Sequence, residues 1–368
     1  DNGCNWFAMD NFSLVYEGTD YLAADLETMR AELDKITDDM VTPALMQRIE
    51  MLKKQTADGV EGAVECQRLL GEVRMLRVHY DDYKAVYERC LSFLESENLA
   101  GDELRRAVDA FAGAETADEV FRAYETMDRA WKGSLPQASV PVDLTMLLPE
   151  GGKFVPTASG VSIDDVTQWM TDAEGGNFRV FAIDGSDAQR GDAKDENMME
   201  RWCTGNFLDG QYLIYTCKSG MPAGRYVFKA AAQKGAGNGV IELFVNDATS
   251  PVTSTGVLRM AQVEAVVNSG KLTLGLKAGN GNGTRWTSMS DVSLEYQSPG
   301  LLLRTMIADS DTLNYGTDKD GALQKARNEA QDALTSGSGD ECMDAYSSLV
   351  KAMEQYRLDN ASPEHPVI

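Results

Sequence analysis

Histidine is nearly absent from this sequence. His79 and His365 are the only two in 368 residues, which excludes a His-dependent triad and a multi-histidine metal centre. Positive charge is also scarce: 34 Lys and Arg stand against 58 Asp and Glu, a net charge of −24. Residues 1–139 carry −13 of it, 140–297 carry −5 and 298–368 carry −6. No segment has the basic footprint that nucleic acid or an anionic bilayer requires, so the acidity reads as solubility. No run of 18 apolar residues occurs, and no membrane insertion is expected. Six cysteines (Cys4, Cys66, Cys90, Cys203, Cys217 and Cys342) never fall at Cys-x-x-Cys spacing, which excludes a zinc ribbon and a dense disulfide scaffold. Cys203 and Cys217 flank an expected hairpin, where they either face each other or stand as two half-buried thiols. Nucleophile-elbow, zinc-protease and phosphate-loop motifs are all missing, so no enzyme is expected. The chain opens at Asp1 inside a patterned segment without an apolar leader, and is expected to be a mature or trimmed piece.

What is present falls into blocks of different period. Its length suits two or three domains. Leu22, Leu26, Met29, Leu33 and Ile36 lie on one helix face. Thr42-Pro43 reads as an N-cap followed by proline at the first helical position. Leu69, Val73, Leu76, Tyr80, Tyr83, Tyr87, Leu91 and Leu94 then keep heptad-like spacing, which predicts one long helix with a tyrosine-bearing bundle seam. Two shorter helices are expected near 102–113 and 117–132, and "GSLPQASVP" ends the helical region. From Val140 the period becomes two. Strands are predicted at 177–184, 212–217, 225–233, 239–247, 261–267, 271–277 and 291–296, each bounded by turn residues. From Leu301 the helical period returns for about three helices. The fold class expected is multidomain all-α plus all-β: a helical bundle (19–135), a β-sandwich jelly roll (140–297), a small C-terminal three-helix bundle (300–358) and an extended tail (359–368).

An internal repeat explains the opening. At an offset of 280 residues, Trp6, Met9, Ser13, Leu14 and Tyr16 match Trp286, Met289, Ser293, Leu294 and Tyr296. At an offset of 222, Asp118-Glu119 and Ala123-Tyr124 match Asp340-Glu341 and Ala345-Tyr346. Residues 1–18 therefore read as the closing strand of a preceding sandwich, and the unit as sandwich followed by bundle.

"VDLTMLL" (142–148), Trp169, "ERW" (200–202), "GMPAGRYVFKAAA" (220–232) and "GKLTLGLKAGNGNGTRWTSMSDVSLEY" (270–296) together resemble galactose-binding-like, carbohydrate-binding-module-like jelly rolls. These occur in large secreted or surface proteins of gut anaerobic bacteria. The helical segments resemble FIVAR-type bundles that accompany them. The resemblance implies an extracellular or cell-surface, non-catalytic glycan-binding or adhesion module joined to other domains of the same polypeptide. Purely structural stalk repeats, or an accessory region of a glycoside hydrolase, are the alternatives.

Sugar recognition needs a flat aromatic face and polar groups for hydroxyls. Trp286 with Arg285, Asn280 and Asn282 offers both in one loop, although Trp286 is equally readable as core. Trp169, Trp202, Tyr212 and Tyr215 are further candidates. Such jelly rolls often hold a structural calcium. The acidic loop 184–197 supplies Asp184, Asp187, Asp192 and Asp195, hard oxygen ligands of the kind calcium takes, or is simply a solvated surface loop. Asp291 is a further candidate, because Ser290 stands where the repeat has Asp10.

Overall fold

The computed structural model describes residues 19–54, 60–96, 102–155, 169–171, 177–185, 189–237, 239–268, 270–279, 283–362 and 365. The opening strand, Asp187, Asn280 and Asn282 lie outside these residues. The chain divides into two compact units, Asp1–Ala130 and Trp131–Ile368. It combines helices with two antiparallel sheets.

The first unit holds α1 (Thr19–Leu33), α2 (Pro43–Lys54), α3 (Val60–Leu76), α4 (Tyr80–Ser96), α5 (Asp102–Ala112) and most of α6 (Ala117–Ser134). Thr42 caps α2: its hydroxyl accepts from Leu45 N at 3.3 Å and donates to Ala114 O at 2.6 Å. The long helix expected through 69–94 is two helices. Between them His79 N donates to Leu76 O, a tight i to i−3 bond that ends α3. Leu76 and Tyr80 are both buried, so the apolar face continues across a break in the backbone, which periodicity alone does not register. The tyrosine stripe is a seam. Tyr80 and Tyr87 stack on Phe111, and Tyr83 lies 4.4 Å from Tyr124 between ring centroids.

The second unit contains the sandwich. β2 (Asn177–Ala182), β3 (Asn197–Trp202), β10 (Trp286–Gln297), β5 (Gly224–Lys234) and β8 (Arg259–Val267) form the larger sheet in that order, and β1 (Val142–Asp143) pairs with β10. The smaller sheet is β4 (Tyr212–Met221), β9 (Gly270–Ala278), β6 (Ile241–Val245) and β7 (Ala248–Pro251). Leu272, Leu274 and Leu276 from β9 and Ile241, Leu243 and Val245 from β6 are fully buried. Each such side chain contributes about 1.5–3 kcal/mol by leaving water. Gly224 sits at φ +152, and a Cβ there would lie 2.5 Å from the Tyr296 ring. The glycine is what lets that tyrosine close over the start of β5.

Three strands escaped the sequence pattern: β1 and β7 are short, and β3 has four consecutive buried residues, Met198 to Arg201, with no alternation to read. That strand also corrects the cysteine expectation. β3 belongs to one sheet and β4 to the other, so residues 203–211 cross between sheets rather than turning a hairpin. Both thiols are free. Cys203 Sγ donates to Gly205 O at 2.9 Å, and Cys217 Sγ lies 3.5 Å from Thr273 Oγ1.

Beyond the sandwich, α7 (Pro299–Asp311), α8 (Ala322–Ser336) and α9 (Gly339–Asp359) pack around Leu303, Leu323, Ala330, Leu349 and Met353. A capping box of Ser338 and Glu341 starts α9. Ser298 caps α7, accepting from Leu301 N at 3.1 Å while donating to Ala138 O at 2.5 Å. Ala223 of the sandwich packs with Leu302 and Met343.

Tyr226 and Tyr296 lie 5.1 Å apart in the sandwich core and donate to Pro222 O and Ala223 O, each at 2.7 Å. Burial pushes both phenols well above the ordinary tyrosine range. Tyr296→Phe leaves the buried Ala223 carbonyl without its donor. It should cost about 1–2 kcal/mol, read as a lower urea midpoint at unchanged slope; an unaltered midpoint would show that this bond adds no net stability.

Candidate functional site

Register places the site. Along one row of the larger sheet, Val180, Met199, Met289 and Ala232 are neighbours, all buried between the sheets. The alternate rows must then face outward. In one of them Arg179 faces Glu200, Glu200 faces Ser288 and Ser288 faces Gln233. In the next, Asn177 faces Trp202 and Trp202 faces Trp286.

These two rows border a shallow cleft of ≈ 680 Å³ whose lining includes Arg179, Glu200, Trp202, Arg285 and Trp286. Trp202 is 37% exposed, whereas Trp286 is half-buried. Arg179 Nε donates to Glu200 Oε1 at 2.8 Å; the guanidinium side chain is 51% exposed and the glutamate side chain 7%. The pair thus presents its cation outward. Gln233 is fully buried: its Nε2 donates to Ser288 Oγ at 2.7 Å, and its Oε1 has no partner among the described residues.

Residues 183–185 and 189–196 of the acidic segment lie back over the rest of this outer face. Ile183, Ala193 and Leu258 cover Met198 and Ala231, and Trp286 packs against the same cluster. Ile183 N donates to Glu196 O, Asp192 N to Leu258 O, and Leu258 N to Gln189 O. Gly191 allows the crossing: at φ +53, a Cβ would sit 2.1 Å from Leu258 O.

Three of the carboxylates proposed for calcium, those of Asp184, Asp192 and Asp291, are engaged elsewhere. Asp184 takes the Arg190 guanidinium through both oxygens, at 3.3 and 3.0 Å. Asp192 accepts from Met260 N at 3.0 Å and from Arg259 at 2.9 Å, which hold its carboxyl below the ordinary aspartate value. Asp291, at φ 48 in a bulge of β10, accepts from the backbone of Lys194 at 2.6 Å and of Asp195 at 3.0 Å. Burial raises the Asp195 carboxyl, and the neighbouring Asp291 charge adds to it. Calcium takes six to eight oxygens, and among the described residues no three acids gather to hold a metal. The described aspartates therefore do not fit a calcium cage. Asp192 and Asp291 fasten the segment to the sheet.

Of the candidates read from sequence, Trp286, Arg285 and Trp202 come together. Trp169 does not: it is 4% exposed, stacked on Phe154 at 5.9 Å, and belongs beside the smaller sheet through the Met170–Tyr215 bridge. Tyr212 is also on the smaller sheet, packed near Tyr215 and Phe244. Arg179 and Glu200 were missed. Arg179 sits between Phe178 and Val180 in an alternating run, and Glu200 lies two residues before Trp202, on the same strand face; that spacing was the available signal.

No family model matches the chain, and no curated protein matches it. Solved structures align with part of it. One is a cyclase from Fischerella sp. TAU, 11% identical, covering 43% of this chain and 98% of its own, with a TM-score of 0.33. Another is the CBM22-1 xylan-binding domain of Paenibacillus barcinonensis Xyn10C, 10% identical, covering 36% and 86%, with a TM-score of 0.26. A third is TmCBM61 in complex with β-1,4-galactotriose, 19% identical, covering 40% and 93%, with a TM-score of 0.26. Likeness at this level assigns neither ligand nor activity to the chain.

Asp291→Ala should free the Lys194 and Asp195 amides, raising their hydrogen exchange selectively and costing about 1–3 kcal/mol. Acid should act differently on Asp192. Because its pKa is lowered by folding, its contribution is complete above the ordinary aspartate value near 3.9 and is lost as pH falls through the folded value. Protection of the Met260 amide that survives well below that pH range would contradict the assignment.

Proposed function

We propose that the sandwich is a non-catalytic glycan-binding module of a larger extracellular protein, with the cleft on its outer face as the binding site and the helical segments as spacers. The observation that carries this reading is the juxtaposition of Trp202 and Trp286, Cα opposite Cα on adjacent strands, at a cleft that also contains the Arg179–Glu200 pair. A pyranose has a C–H face that suits an indole ring and equatorial hydroxyls that suit charged hydrogen-bonding groups. Rigid aromatic anchors on strands are held by the sheet, so little freedom is lost on binding. Among the described residues no helix is long and apolar enough to cross a membrane.

Calorimetric titration of the full chain against a glycan panel tests the proposal. At least one glycan should bind, and Trp202→Ala and Trp286→Ala should each weaken it about tenfold or more while far-ultraviolet circular dichroism stays unchanged. Trp169→Phe, which alters a packed ring away from the cleft, should leave affinity intact. A panel with no binder, or a binder indifferent to both cleft tryptophans, would remove the reading.

A further inference from the structure

Resting on the glycan-binding reading, we infer that the preferred ligand is a neutral glycan carrying an isolated carboxylate sugar, a uronic or other acidic residue, and that Arg285 reads the carboxylate. The charge of the cleft runs against that of the chain. Overall, acids outnumber bases 58 to 34, yet the cleft lining holds two guanidiniums, Arg179 and Arg285, against one carboxylate, Glu200. That carboxylate is already neutralised by Arg179 at 2.8 Å, and it is nearly buried. Arg285 is exposed at the end of β10, immediately before Trp286, and no carboxylate lies within ion-pair distance of it among the described residues. Its position is fixed by backbone: Cys203 N donates to Arg285 O at 3.0 Å, tying the arginine to the end of the neighbouring strand.

The chemistry that matches is a planar anion beside a sugar ring. A guanidinium binds carboxylate through two parallel N–H bonds, and the adjacent Trp286 offers the apolar face for the ring that bears it. The same charge distribution argues against a polyanion. Screening limits the reach of the cleft to about 8 Å at physiological salt. An acidic polymer extending further would be repelled by the net charge of −24 that the chain carries, whereas a single acidic sugar on a neutral chain would be repelled far less.

The test uses the full chain and tetraoses of glucose, galactose, xylose and mannose. Each is titrated in three forms: neutral, bearing one uronic acid, and with that acid reduced to the alcohol. The uronate form of at least one backbone should bind about tenfold tighter than its neutral and reduced forms, and high salt should erase the difference. Arg285→Ala should abolish the preference, so that the variant binds its uronate and neutral forms equally, while Trp286→Ala should weaken all forms and keep the uronate preference. Equal binding of the uronate and reduced forms would overturn the inference and leave the glycan reading standing. Binding of none of the twelve would overturn both. Polygalacturonate binding more tightly, per site, than the single uronate would overturn the isolated-carboxylate assignment.

Discussion

The larger sheet depends on the register of β10. That strand is paired on both sides, with β3 and β1 along one edge and β5 along the other. A slip of one residue would exchange its two faces, sending Trp286, Ser288 and Ser290 inward and Thr287 and Met289 outward. Buried groups on both faces forbid the slip. Thr287 Oγ1 donates to Gln233 O at 2.7 Å, and Ser290 Oγ to Asn197 O at 2.7 Å.

The bulge then reverses the pattern once. Between Ser290 and Ser293 one extra residue enters β10. Before it, Thr287 and Met289 face the core; after it, Val292, Leu294 and Tyr296 do. The inserted turn leaves Asp291 at a positive φ, with its carboxylate directed at the acidic segment. One irregularity thus lets the same strand carry a cleft at its start, a latch in its middle and a tyrosine core at its end. The cleft stays open because the segment held by Asp291 covers the Met198 and Ala231 part of the face and packs against Trp286 without enclosing it.

Much of this architecture could be read from residue order. The alternation of Leu272, Leu274 and Leu276 and the Thr42-Pro43 start both report local chemistry, and local chemistry decided them. Trp286 and Arg285 were legible as a pair because they adjoin in sequence. Trp202 was visible only as one tryptophan among five, since its partner lies 84 positions away and register is not a local property. The same limit explains the aspartates. Their composition suggests a cation site, but composition does not reveal that Asp184 meets Arg190, or that Asp291 meets two backbone amides. β3 was hidden for a related reason: a strand covered on both faces loses the period that would announce it.

The hydroxyl of Ser298 bridges more than a helix cap. It joins the residue that leaves the sandwich to Ala138, which precedes it, and β1 pairs with the end of β10 through Val142 and Tyr296. The sandwich therefore begins and ends at one point. A domain closed in this way is an excursion from the chain rather than a segment of its length. Removing it, or exchanging it for another sandwich, would alter the local path by little more than the span of one hydrogen bond. The geometry of this junction makes the sandwich exchangeable while the helical segment that follows keeps its place.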